Sequence, residues 1–180
     1  MIQLAIDPST IYLGYSVMDT DKTIGTDIVK YGLIQLCENI RLQDIRFSDK
    51  LLSAYNNFAG LISQYTPDVI ALEDQFHTQR KPTVKNIIRI TGAIILAAKQ
   101  KHIPVVMYPP QTVKLAVAKN GKADKDSVAS AILKLYEKDN YVSLLRFSDK
   151  QSRGRKKTDD IFDSIAINLT HRFTRNGEQI

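Results

Sequence analysis

The chain is poor in the residues that soft-metal and nucleotide chemistry require. Among 180 residues there is one cysteine and only three histidines. A lone Cys37 excludes an internal disulfide framework and fits a reducing, cytoplasmic setting. With no histidine near it in sequence, it reads as a small apolar filler on a strand and not as a nucleophile. The eight glycines form no G-x-G cluster, which argues against the phosphate loops of a sugar kinase or actin-like ATPase, folds that also begin with a strand bearing an early aspartate. Long apolar runs are absent too: the longest, Ala93 to Ala98, is far too short to span a bilayer. The N-terminus lacks a basic start and Asp7 interrupts its apolar stretch, so no signal peptide is expected. No repeat, low-complexity tract or linker divides the chain, and 43% hydrophobic content supports one substantial core. We therefore expect a single domain over residues 1–180.

What the chain does have is four acids placed where alternating strands and helices can gather them. Asp7 ends the first apolar strand and Glu73 ends another, Val69 to Glu73. Asp160 and Asp163 are three apart on an expected helix and so share one face. Four gathered carboxylates resist ionising unless a cation lies between them. Ligation by oxygen alone suits Mg²⁺ or Mn²⁺ and argues against zinc.

The charge is unevenly divided. The net formal charge is +6, but residues 1–75 carry −5 and the remainder +11. A half that basic needs a polyanion or a solvated face. Most of its cations fall in three clusters: Arg80, Lys81, Lys85 and Arg89; Lys114, Lys119, Lys122 and Lys125; and Lys150, Arg153, Arg155, Lys156 and Lys157. The middle cluster is as well explained by helix solvation as by binding. The third opens onto the helix of Asp160 and Asp163, where phosphate contacts would lie beside a metal.

Periodicity predicts strands at about residues 2–7, 11–19 and 28–36, linked closely enough for an antiparallel meander. A helix from about Asp49 to Tyr65 follows, with Ser48 as its N-cap and Leu51, Leu52, Tyr55, Phe58, Ala59 and Ile62 on one side. After the strand to Glu73, a helix over about Thr83–Lys101 carries Val84, Ile87, Ile88, Thr91, Ile94, Ile95 and Ala98, mostly core with part available as a dimer seam. A fifth strand, Pro104–Tyr108, precedes a short helix opened by Pro109-Pro110, a helix capped by Asp124 running to about Lys138, and a last helix capped by Thr158. Crossover helices make the later strands parallel, so the expected α/β fold is a five-stranded mixed sheet with helices on both faces.

Six stretches, in order, resemble the RuvC-type Holliday junction resolvases of the ribonuclease H-like superfamily. They are Ile6-Asp7-Pro8 with Gly14-Tyr15, Leu72 to Phe76, Thr91 to Ala98, Tyr108 to Lys114, Ala123-Asp124-Lys125, and Asp160 to Ala166. The resemblance covers nearly the whole chain. It implies a homodimeric, Mg²⁺-dependent endodeoxyribonuclease that resolves four-way and other branched DNA by paired nicks. It also implies that Asp7, Glu73, Asp160 and Asp163 are the catalytic acids, that Lys114 and Lys125 approach the scissile phosphate, and that Phe76 stacks against junction bases. The arrangement expected from it is two-metal hydrolysis, with two Mg²⁺ (or Mn²⁺) about 3.5 to 4 Å apart, Asp7 bridging, Glu73 on the first ion and orienting water, and Asp160 and Asp163 completing the shells. Arg80, Lys81, Lys85, Lys122, Arg153, Arg155, Lys156 and Lys157 are the further DNA contacts expected.

The departures from the family pattern are Ser9 in place of a common glycine, two extra acids, and a long basic loop before the last helix, similar to what phage-encoded members show. Strand alternation turns Asp74 away from Glu73. Asp159, four residues before Asp163, is the reserve ligand should Asp160 not serve. Two other activities share parts of this pattern: a non-catalytic junction-binding protein with structural acids, and a ribonuclease H acting on hybrids.

Overall fold

A computed structural model describes residues 1–36, 47–74, 82–137 and 158–177. Strands β1 (Ile2–Asp7), β2 (Tyr12–Asp19) and β3 (Ile28–Gln35) form the antiparallel meander that the short links predict. Strands β4 (Val69–Glu73) and β5 (Val105–Tyr108) add to the other side of β1 in parallel, giving the order β3-β2-β1-β4-β5. That order places β1 at the centre, between its antiparallel and its parallel neighbour.

Side-chain alternation divides the sheet into two unlike faces. Leu4, Ile6, Ile70 and Leu72 pack with helices α1 (Phe47–Tyr65) and α2 (Pro82–Gln100). Ala5 and Ala71, paired across β1 and β4, face the opposite layer of α3 (Pro110–Ala118), α4 (Lys125–Leu135) and α5 (Thr158–Asn176). By the same parity Asp7 and Glu73 belong to this second face, with the small alanines behind them leaving room for α5 to lie close.

Several helix details differ from the sequence expectation. Helix α1 already includes Phe47, so Ser48 lies in its first turn and is not the cap. Phe47 packs on the core beneath the Arg89 guanidinium, 5.6 Å from its ring centroid, and that contact outweighs the capping preference of serine. The buried line of α1 is Ala54, Phe58, Leu61 and Ile62, leaving Leu52 exposed. In α2 the buried line is Ile90, Thr91, Ile94, Ala97 and Ala98, with Ile88 and Leu96 outside. In each case the contact stripe is rotated part of a turn from the one expected, since flanking apolar residues blur its edge. Asp124 does cap α4, accepting from the Ser127 amide at 2.8 Å, but that helix ends at Leu135. Thr158 lies inside α5 and not ahead of it. Among the described residues, no helix is long and apolar enough to cross a membrane.

Candidate metal centre

The end of β1 where Asp7 sits is also where β2 begins, Asp7 being paired with Gly14. Helix α5 comes down on that pair. A Cβ built on Gly14 would stand 1.8 Å from the Asp160 carbonyl oxygen. Only a residue without a side chain lets the helix approach so closely, and this approach sets how near Asp160 and Asp163 come to Asp7.

Polar bonds fix the helix at that depth. Asn168 donates to the Ser16 carbonyl and hydroxyl oxygens, each at 2.9 Å in the buried core. Arg172 pairs with Asp27 at 2.7 Å, both side chains nearly sealed from solvent, and donates to the Lys22 carbonyl at 2.9 Å. Tyr108, the cross-strand neighbour of Glu73, bonds through its hydroxyl to His171 Nδ1 at 2.7 Å.

Asp7, Asp160 and Asp163 each offer a carboxylate oxygen within 4.8 Å of the other two. Opposed ligands across an oxygen-bound divalent ion are separated by roughly 4 to 5 Å, so one cation can reach all three. The electrostatics of the site agree. Burial raises the Asp7 pKa well above the usual carboxylate range, and the charges of Asp163, Glu73 and Asp160 raise it further. Burial also raises Asp163, against the lowering effect of Lys125. An all-carboxylate group whose members suppress one another's ionisation fits a hard divalent cation.

A cleft of about 250 Å³ opens over the three aspartates. Glu73 lines it but stands outside the close trio. Lys114 from α3 and Lys125 from the first turn of α4 line it as well, and Lys125 Nζ meets Asp163 Oδ2 at 2.7 Å. Asp159 is not among the residues that line it, although its charge reaches the site and acts on both Lys125 and Asp163. Lys85 and Lys122 are exposed, on α2 and on the α3–α4 connection, and neither lines the cleft. Cys37, Phe76, Arg80, Lys81, Arg153, Arg155, Lys156 and Lys157 lie outside the described residues.

Gly14 stands in a motif stretch of the sequence that carries no local sign of what the glycine does. Its role depends on a contact with Asp160, 146 positions away, which no local pattern reveals. The cleft also has an apolar wall from Ile87, Val113 and Val128, residues whose spacing in the chain gives no sign that they meet there.

A family model for the crossover junction endodeoxyribonuclease RuvC matches residues 3–171. The RuvC of Fusobacterium nucleatum is 29% identical over 168 residues, covering 93% of this chain and 78% of that protein. That of Corynebacterium diphtheriae is 33% identical over 132 residues, covering 73% and 78% respectively. Among solved structures, Thermus thermophilus RuvC in complex with Holliday junction substrate superposes with a TM-score of 0.75 at 22% identity, over 98% of this chain and 96% of that one. The yeast mitochondrial Holliday junction resolvase gives 0.61 at 15% identity, over 96% and 82%. At such identities these two structures establish a shared fold.

Proposed function

Because this chain belongs to the RuvC family of crossover junction endodeoxyribonucleases, we propose that it is a divalent-metal-dependent endonuclease that resolves four-way DNA junctions by paired nicks. The observation that carries the reading is the convergence of Asp7, Asp160 and Asp163 in one cleft bordered by Lys114 and Lys125. A cation site edged with lysines suits an anionic phosphodiester better than a structural ion, which would be enclosed.

Two Mg²⁺ ions, with Mn²⁺ able to replace them, would supply the activated water and stabilise the leaving oxygen. Asp7, buried at the end of the central strand, would hold the metal with the carboxylate that has the least room to move. Asp160 and Asp163 close the site from the helix side. Glu73, outside the trio but on the same cleft wall, orients the attacking water and accepts its proton. Lys114 and Lys125 donate to the non-bridging phosphate oxygens, where charge builds in the transition state. Lys85, Lys122 and the sequence cations at Arg80, Lys81, Arg153, Arg155, Lys156 and Lys157 contact the junction backbone away from the cut, and Phe76 stacks on an unpaired base. A junction has approximate two-fold symmetry, so a homodimer presents one cleft to each of two opposed strands.

The test is incubation of the protein with a labelled four-way junction, plain duplex and an RNA–DNA hybrid, in Mg²⁺ and in EDTA. Paired Mg²⁺-dependent nicks in the junction, with duplex spared, are expected. Junction binding without nicking in Mg²⁺ or Mn²⁺ would make this a binding module, and preferential cutting of the hybrid would make it a ribonuclease H.

A further inference from the structure

Lys125 is in an unfavourable place for a lysine. It is the first residue of α4, where the positive end of the helix dipole repels a cation. Its ammonium points back into the acidic cleft and grips Asp163 at 2.7 Å, and that carboxylate is one of the three that converge on the cation position. The helix beneath it is fixed by the Asp124 cap and by burial of Val128 and Ile132. The side chain is not fixed, being 53% exposed, so its head can swing without moving α4. Burial works to lower the Lys125 pKa, but Asp163, Asp7 and Asp159 together leave it raised, so the ammonium stays charged at neutral pH.

We propose that Lys125 is an internal counter-ion, which holds Asp163 while the site is empty of metal and must be displaced by the incoming divalent cation. Resting on the metal-site reading above, this goes further by making metal loading and substrate engagement one exchange. The cation takes over Asp163, and the released ammonium becomes free to meet the substrate phosphate. Lys114 acts on Asp163 only through space, from another wall of the cleft, and provides the control.

The experiment is calorimetric titration of the full chain with Mn²⁺ alone, for the wild type, Lys125→Gln, Lys114→Gln and Asp7→Asn. Removing the competitor should tighten Mn²⁺ binding about fivefold in Lys125→Gln, the worth of one partly exposed ion pair. Lys114→Gln should change it much less. On the wild-type protein, Mg²⁺ should also abolish the slow solvent exchange of the Lys125 ¹⁵Nζ signal, which reports the pair directly and needs no substitution. Unchanged or weaker Mn²⁺ binding in Lys125→Gln, an equal gain in Lys114→Gln, or a ¹⁵Nζ signal indifferent to Mg²⁺ would overturn the exchange while leaving the metal site standing. A wild type with no Asp7-dependent Mn²⁺ binding would remove the metal site itself, and this proposal with it.

Discussion

At Asp7, burial and charge work in the same direction. The residue is 8% exposed, and burial together with Asp163, Glu73 and Asp160 opposes its ionisation. A carboxylate kept under such conditions serves something that favours its charged form. Replacing Asp7 with asparagine preserves shape and removes the charge. We expect cleavage of a four-way junction to fall by at least about a hundredfold in Mg²⁺, the scale of losing a metal's several kcal/mol of transition-state stabilisation. Junction binding, measured by gel shift in EDTA, should persist, because the phosphate contacts are made elsewhere. Glu73 makes a contrasting case, lining the cleft but standing apart from the trio. If it orients water, Glu73→Gln should slow single-turnover cleavage by about a hundredfold while Mn²⁺ binding stays near the wild-type level. Equal losses in both would place it among the principal ligands.

Helix α5 is the element on which the site depends, since it delivers two of the three converging aspartates. Its depth is set by small residues beneath it and by polar bonds along it. Gly14→Ala would put a methyl group into the Asp160 carbonyl, so the helix N-terminus must lift. The expected cost is about 1–3 kcal/mol in urea unfolding, with a loss of cleavage out of proportion to it, because metal geometry tolerates less displacement than packing does. Wild-type cleavage in Gly14→Ala would show that the helix can retreat without harm. Further along, Asp27→Ala would leave Arg172 buried without its partner and should destabilise by about 3–5 kcal/mol. The three-residue spacing that puts Asp160 and Asp163 on one face was legible in the sequence, and so was the strand-end placement of Asp7 and Glu73. The Gly14 contact, the Asn168–Ser16 and Arg172–Asp27 bonds and the Tyr108–His171 pair were not. Each joins residues far apart in the chain, and periodicity carries information only about near neighbours. The rotated stripes of α1 and α2 failed for a related reason: where apolar residues flank the stripe on both sides, tertiary contacts alone decide which of them are covered.

For the molecule as a whole, the acidic site imposes a stability cost that the metal relieves, and the sign of the pH dependence follows from the directions of the shifts. Asp7 and Asp163 hold their protons to higher pH in the folded state than in the unfolded one. Between the ordinary carboxylate value and those raised values the folded state binds more protons, so stability falls as pH rises and stays reduced above the window. His171, whose pKa is lowered chiefly by burial, works the other way, costing stability as pH drops below its ordinary value. The two trends overlap, so a single melting curve against pH would not separate them. The difference between Asp7→Asn and wild type does, because His171 is common to both. Without metal, the variant should melt higher than the wild type by a margin that grows as pH rises above the ordinary carboxylate value and levels off once Asp7 is ionised in the folded state. Saturating Mg²⁺ should close or invert that gap, since a bound cation stabilises the ionised carboxylates that the variant lacks. A gap that is constant with pH, or unaffected by Mg²⁺, would mean that Asp7 is accommodated by the protein alone, and the case for a cation between the acids would lose its electrostatic basis.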